Sequence, residues 1–219
     1  MSASAVNGHT NRRLRRAPNE VQALVLQAAH RLFTAHGYHG TKTKQIAEEA
    51  GVGESVVFRN FGSKAELFEA VILTPFTDFV DDWAARWDVG VAADSDPMEI
   101  TRSFVKGFYE LATEHREVLH TLIAARLRGG DPALAEVADR VSGRLSDSLR
   151  VMQDVLLHHG EARQLRDVDA PVSVAVSAGS VLSLVLLDDW LFPRHQRRPG
   201  KVRQIDETAR MLLYGVLRP

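Results

Sequence analysis

Between Lys42 and Asn60 the chain holds two short apolar-faced runs, and the residue that parts them decides how they can be arranged. Ile46, Ala47 and Ala50 mark the first run, Lys42 to Ala50, with Thr41 placed as its N-cap. Val56, Val57 and Phe61 mark the second, about Glu54 to Asn60. Gly51 stands between them, and glycine tolerates backbone angles that other residues resist, so the two helices can meet steeply. The second run has an apolar side to hold it down. Its other side (Glu54, Ser55, Arg59, Asn60) is polar and is expected to face outward.

The remaining sequence carries the same helical periodicity with clear punctuation. Val21, Leu24, Val25, Ala28, Ala29, Leu32 and Phe33 form a stripe that Gly37 is placed to end. Ser63 caps a helix beginning at Lys64, in which Pro75 predicts a kink or a division. Asp96-Pro97, Asp131-Pro132 and Asp169-Ala170-Pro171 open further helices. Gly129-Gly130, Gly160 and Pro193 close them, and a last helix spans about Gly200 to Leu217. No sustained two-residue alternation argues for a sheet. The expected fold is all-α, about nine helices in total.

Charge is distributed unevenly along this framework. Residues 1–64 carry nine cations against four anions, a balance of +5 that leaves −6 for the rest of the chain. Such asymmetry is the pattern of a segment that meets a polyanion. Residues 1–18 read as a flexible basic arm (Arg12, Arg13, Arg15, Arg16), with a minor-groove contact as one use and a solvated tail as the other. That arm has no apolar run of the secretory kind. The absence of cysteine excludes a disulfide scaffold and suits a reducing cytoplasm.

The run Ala28-Ala29, Leu32-Phe33, Gly37-Tyr38, Thr41, Ile46-Ala47, Ala50-Gly51-Val52, Phe58, Phe61, Ser63-Lys64 and Leu67 resembles the N-terminal domain of the TetR family of bacterial regulators. The resemblance covers about Asn19 to Ile72. It implies a three-helix helix-turn-helix domain over 19–67 and a ligand-binding, dimerising helical body over 68–219. It further implies double-stranded operator DNA of (pseudo)palindromic sequence as partner, a homodimer, and a small-molecule effector. Under it, Thr41, Lys42, Thr43 and Lys44 lie where the DNA backbone is touched. Glu54, Ser55, Val56, Phe58 and Arg59 lie on the reading surface, and Asn60 and Lys64 at phosphates. Gly53 stands where the family often has Ser, and Phe58 where it usually has Tyr, so the base sequence read is left open.

In the body, Val172 to Phe192 is apolar nearly all round and must be buried. Asp188 and Asp189 argue against a membrane span there. With the last helix it is the expected pairing surface, through Val174, Ser177, Val181, Leu184, Val185, Ile205, Ala209, Leu212 and Leu213. Trp83, Trp87, Phe104, Phe108, Tyr109, His115, His120, Ile123, Arg126 and Met152 are the candidates for an effector cavity, with plain core as the alternative.

An enzyme is disfavoured and no cofactor is expected. His115 and His120 are five residues apart, whereas a zinc-protease helix needs four; Gly51-Val52-Gly53 lacks the third glycine of a nucleotide loop and follows a helix. The expectation is a cytoplasmic, nucleoid-associated repressor released by a largely apolar ligand. Control by a protein partner, or activation in place of repression, stays open.

Overall fold

The computed structural model describes residues 18–88, 96–127, 132–162, 169–193 and 197–217. The basic arm and the Gly129-Gly130 stop lie outside them. Ten helices and no strand occur among the described residues: α1 Pro18–Gly40, α2 Thr43–Ala50, α3 Glu54–Phe61, α4 Lys64–Asp88, α5 Pro97–Glu114, α6 Arg116–Leu127, α7 Pro132–Ala162, α8 Ala170–Leu186, α9 Asp188–Leu191 and α10 Lys201–Leu217.

The expected caps act where they were placed. The Ser63 hydroxyl accepts from the Glu66 N–H at 3.1 Å, and the carboxylates of Asp96 and Asp169 accept from the Met98 and Val172 N–H groups. Each satisfies a backbone donor that the first turn leaves without a partner. Other boundaries differ from expectation. Gly37, with φ 69° and ψ 175°, interrupts the helix as expected, but a further helical stretch follows it to Gly40 within α1. The α7 helix continues through Gly160 to Ala162, and α4 passes Pro75 unbroken. The helix expected to reach Phe192 breaks at Leu187, and the short α9 beyond the break raises nine helices to ten.

Two apolar cores organise the chain. The first joins α1–α3 and the start of α4 (Val25, Phe33, Ile46, Val57, Phe61, Leu67, Phe68) to Val118 and Leu122 of α6 and Val137 and Val141 of α7. The second lies between the end of α4, α5, α7, α8 and α10, around Val80, Phe104, Phe108, Met152, Val181 and Ala209. At 1.5 Å per residue the 25-residue α4 is about 37 Å long, enough to run from one core to the other. Beside the first core the buried Glu69 of α4 accepts from Arg140 Nε of α7 at 2.6 Å, with Arg144 Nε at 3.6 Å. That hydrogen bond holds the Arg140 guanidinium further toward its charged form, against a smaller opposing effect of desolvation.

The link from α3 to α4 is a γ-turn. Gly62 has φ 73° and ψ −66°, and the Ser63 N–H donates across it to the Phe61 carbonyl at 2.8 Å. Only glycine adopts this geometry without a steric penalty. Gly62→Ala is therefore expected to destabilise the chain by about 1–3 kcal/mol, read as a lowered urea midpoint at unchanged slope.

Candidate nucleic-acid interface

The head is built around a helix end. Gly51, at φ 66° and ψ 36°, stops α2 in the left-handed conformation. The Val52 N–H then donates to the Ala47 carbonyl at 3.0 Å and the Gly51 N–H to that of Glu48 at 3.1 Å. This paired closure satisfies carbonyls that would otherwise be orphaned, and it turns the chain sharply. Gly53 caps α3 without a side-chain bond, as its lack of a side chain requires. The Thr43 hydroxyl instead donates to Glu54 Oε1 at 2.6 Å, which ties the starts of α2 and α3 together. Arg31 Nε to Glu49 Oε1, also 2.6 Å, ties α1 to α2.

With the pair fixed, α3 buries Val57 and Phe61 and leaves Ser55, Phe58 and Arg59 exposed. Those three stand at i, i+3 and i+4, so they share one face. Phe58 keeps 44% of its surface in solvent. Lys42, Lys44 and Arg59 are exposed and form no ion pair among the described residues. Val56 and Glu54 are half-buried beside them, and Asn60 turns its amide back to the Val56 carbonyl at 2.7 Å. Lys64 sits with Nζ 4.3 Å from the Tyr38 ring centroid, at the foot of α4. An exposed helical face with loose cations on one flank can enter a groove while its neighbours hold phosphates.

Thr41 departs from the expected set. It is 1% exposed, and its hydroxyl donates to the carbonyls of Leu32 at 3.0 Å and Gly37 at 2.8 Å. Its work is internal: it joins the last turns of α1, where the Gly37 kink disturbs the helical ladder. Lys42 takes the N-cap position of α2, with its N–H donating to Gln45 Oε1 at 2.9 Å. Gln45 was missed, although a Gln three residues past a helix start is a readable capping signal.

The candidates in the body are redistributed more widely. Trp83, Phe104 and Phe108 pack with Phe76 and Phe79, rings 5.3–6.0 Å apart, and Met152 and Tyr109 lie buried in the same core. Gly107 permits this packing, since a Cβ there would come within 2.6 Å of the Phe79 ring. His120, Ile123 and Arg126 do not join them; they are exposed on the outer face of α6, with Arg126 4.0 Å from Asp139. The side chain of Trp87 lies outside the described residues. His115 is buried against His30 of α1, ring centroids 4.4 Å apart, and His30 Nε2 lies 3.3 Å from the Glu114 carbonyl.

On α8 and α10, much of the face named for pairing is taken up by the chain's own core. Val174, Val181, Val185, Ile205 and Ala209 are buried in the chain's own second core, while Ser177, Leu184, Leu212 and Leu213 are half-buried. Exposed to water are Val172 and Val176 on α8, Leu187 just past its end, Met211 and Tyr214 on α10, and Trp190 of α9 at 84% exposure. A cleft of about 810 Å³ between α8 and α10 is lined by Ser180, Ser183, Leu184, Thr208, Met211 and Tyr214. The reason is symmetry of hydrophobicity: a helix apolar all round does not mark which side meets its own core.

Residues 25–71 match the model of the bacterial regulatory proteins of the tetR family. Through these residues the chain carries a tetR-family domain. It is 32% identical over 114 residues to the transcriptional activator FasR of Mycolicibacterium smegmatis, 52% of this chain and 50% of that protein. To the transcriptional regulator RutR of Escherichia coli K12 it is 35% identical over 121 residues, 55% and 54%. It thus spans about half the length of these curated relatives. Among solved structures, the fatty acid degradation regulator FadR of Bacillus halodurans superposes with a TM-score of 0.66 at 17% identity, covering 94% of this chain and 100% of that one. FadR of Bacillus subtilis in complex with stearoyl-CoA gives 0.59 at 14%, covering 88% and 98%. At that identity the likeness shows the TetR fold and nothing finer.

The buried histidine between α5 and α6 makes stability depend on pH. Burial, then repulsion from His30, lower the His115 pKa from 6.5 to about 4, with Glu114 opposing. Between those values the unfolded chain binds the proton that the native chain refuses, so stability falls as pH drops from 6.5 toward 4. The urea midpoint is expected to fall across that window, and less so in His115→Asn.

Proposed function

We propose that this TetR-family regulator binds a (pseudo)palindromic operator as a homodimer and is released from it by a small, largely apolar ligand. The observation that carries the DNA reading is the face of Ser55, Phe58 and Arg59 held outward by the buried Val57 and Phe61. Arg59 reads a guanine edge, Phe58 meets a thymine methyl, and Lys42 and Lys44 hold phosphates. Pairing follows from the open α8–α10 side, where Val176, Met211, Tyr214 and Trp190 are left in water by one chain alone. An isologous contact between two such sides places the reading helices on half-sites about 34–36 Å apart, or a multiple. The structural likeness to fatty-acid regulators, one of them holding stearoyl-CoA, supports an apolar effector. Such a ligand weakens DNA binding by its preference for the dimer that cannot bind, and by no more. Activation in place of repression depends on where the operator lies relative to the promoter; FasR is an activator.

Selection of bound duplexes from a random pool, at stated salt, is the direct test. A symmetric motif is expected; indifference to duplex DNA overturns the reading. On the selected operator, fluorescence anisotropy should show Arg59→Ala losing about 1–3 kcal/mol and relaxing preference at one base pair. Lys44→Ala should weaken all sequences alike and reduce the salt slope by about one. Val176→Glu charges the open face of α8 without entering the core. Sedimentation should then give a folded monomer where the wild type is a dimer.

A further inference from the structure

Along α8 the residues turned away from the chain's own core follow a symmetric order of size. Val172 and Val176 are exposed toward its start and Leu187 just past its end, with the small Gly179, Ser180 and Ser183 half-buried between them. Val172 lies seven residues before Gly179, and Leu187 seven residues after Ser180. Nothing within the chain calls for a glycine at the centre. A Cβ on Gly179 would meet no atom within 4 Å, and glycine in a helix interior is destabilising relative to alanine. The serines are self-contained. The hydroxyls of Ser177, Ser180 and Ser183 donate to the carbonyls of Ser173, Val176 and Gly179 at 2.7–2.8 Å, so covering this face strands no donor. No charged residue stands between Asp169 and Asp188.

We propose that this face pairs with the same face of a second copy, α8 against α8 and antiparallel, about a two-fold axis beside Gly179 and Ser180. An isologous contact sets each residue before the axis against one equally far beyond it. Val172 then meets Leu187 of the partner subunit, and Gly179 meets Ser180 of the partner subunit. Crossing helices are closest at the axis and diverge from it, so small side chains belong at the centre and larger ones outward. That is the order found on α8. A face without charge also meets its own copy without like-charge repulsion. The cleft of about 810 Å³ beside Ser180 and Ser183 opens on this side. The apolar surface awaiting cover is of the right scale. A buried aromatic side chain covers about 150–250 Å². Trp190 at 84% exposure and Tyr214 at 55% therefore leave about 280 Å² in water between them, toward the about 800 Å² that each partner covers in a stable dimer. The inference rests on the homodimer of the proposed function and adds its register: which helix crosses which, and where.

The chain contains no cysteine, so introduced thiols are unique. Val172→Cys and Leu187→Cys, both at exposed positions, are expressed as full chains, alone and together, and treated with a short bismaleimide. The co-expressed pair is expected to give a cross-linked dimer. Each variant alone is not, because about 22 Å of helix separates either thiol from its own copy. Gly179→Leu should leave the fold intact, since its side chain enters open space, and should raise the dimer dissociation constant about tenfold or more in sedimentation. A link in either variant alone, a dimer without a link in the co-expressed pair, or an unchanged dissociation constant in Gly179→Leu overturns the proposal. A wild type that sediments as a monomer removes the homodimer of the regulatory reading as well, whereas a dimer lacking the mixed link removes only this register.

Discussion

Leu67, Phe68, Val71 and Ile72 lie in one buried core with residues of α1–α3, α6 and α7, and α4 packs directly on α1 and α3 of the head and on α7 of the body. Full burial of side chains this large is worth about 1.5–3 kcal/mol each, and here the same atoms serve head and body together. The head is therefore not carried on a tether. Whatever shifts α4 along α7 must move the helix-turn-helix or break this core. Glu69 adds direction to the contact, because a buried carboxylate between Arg140 and Arg144 fixes where along α7 the rod can rest.

Within the head, local closures set what the core leaves undetermined. Burial of Val57 and Phe61 alone would allow α3 to roll. The Gly51 closure, the Thr43–Glu54 bond and the Gly62 γ-turn restrain it at both ends, so Ser55, Phe58 and Arg59 stay on the water side. Polar groups are spent on positioning as well as on recognition. Thr41 and Asn60 turn inward to carbonyls, while Lys42, Lys44 and Arg59 stay exposed and form no ion pair among the described residues.

The body divides its apolar surface between a closed core and an open side. Aromatic rings from α4 and α5 fill the space at Gly107, while α8 and α10 keep Val176, Met211 and Tyr214 outside. A single chain leaves these apolar side chains in contact with water. They lie at the end of the chain remote from the reading helix in sequence, and α4 connects the two through both cores.

What could be read without coordinates was local. The lengths of α2 and α3, the caps at Ser63, Asp96 and Asp169, and the outward placing of Ser55 and Arg59 on α3 depend on neighbours within four residues, which periodicity and capping chemistry report directly. Three-dimensional packing decided the rest. Thr41 has the composition of a cap but sits where α1 closes over it, and His115 meets a histidine 85 positions earlier. The apolar girth of α8 has no moment to say that Val181 turns inward while Val176 faces solvent. Backbone hydrogen bonding is short-ranged along the chain; which apolar face meets which is settled only when helices distant in sequence compete for the same core.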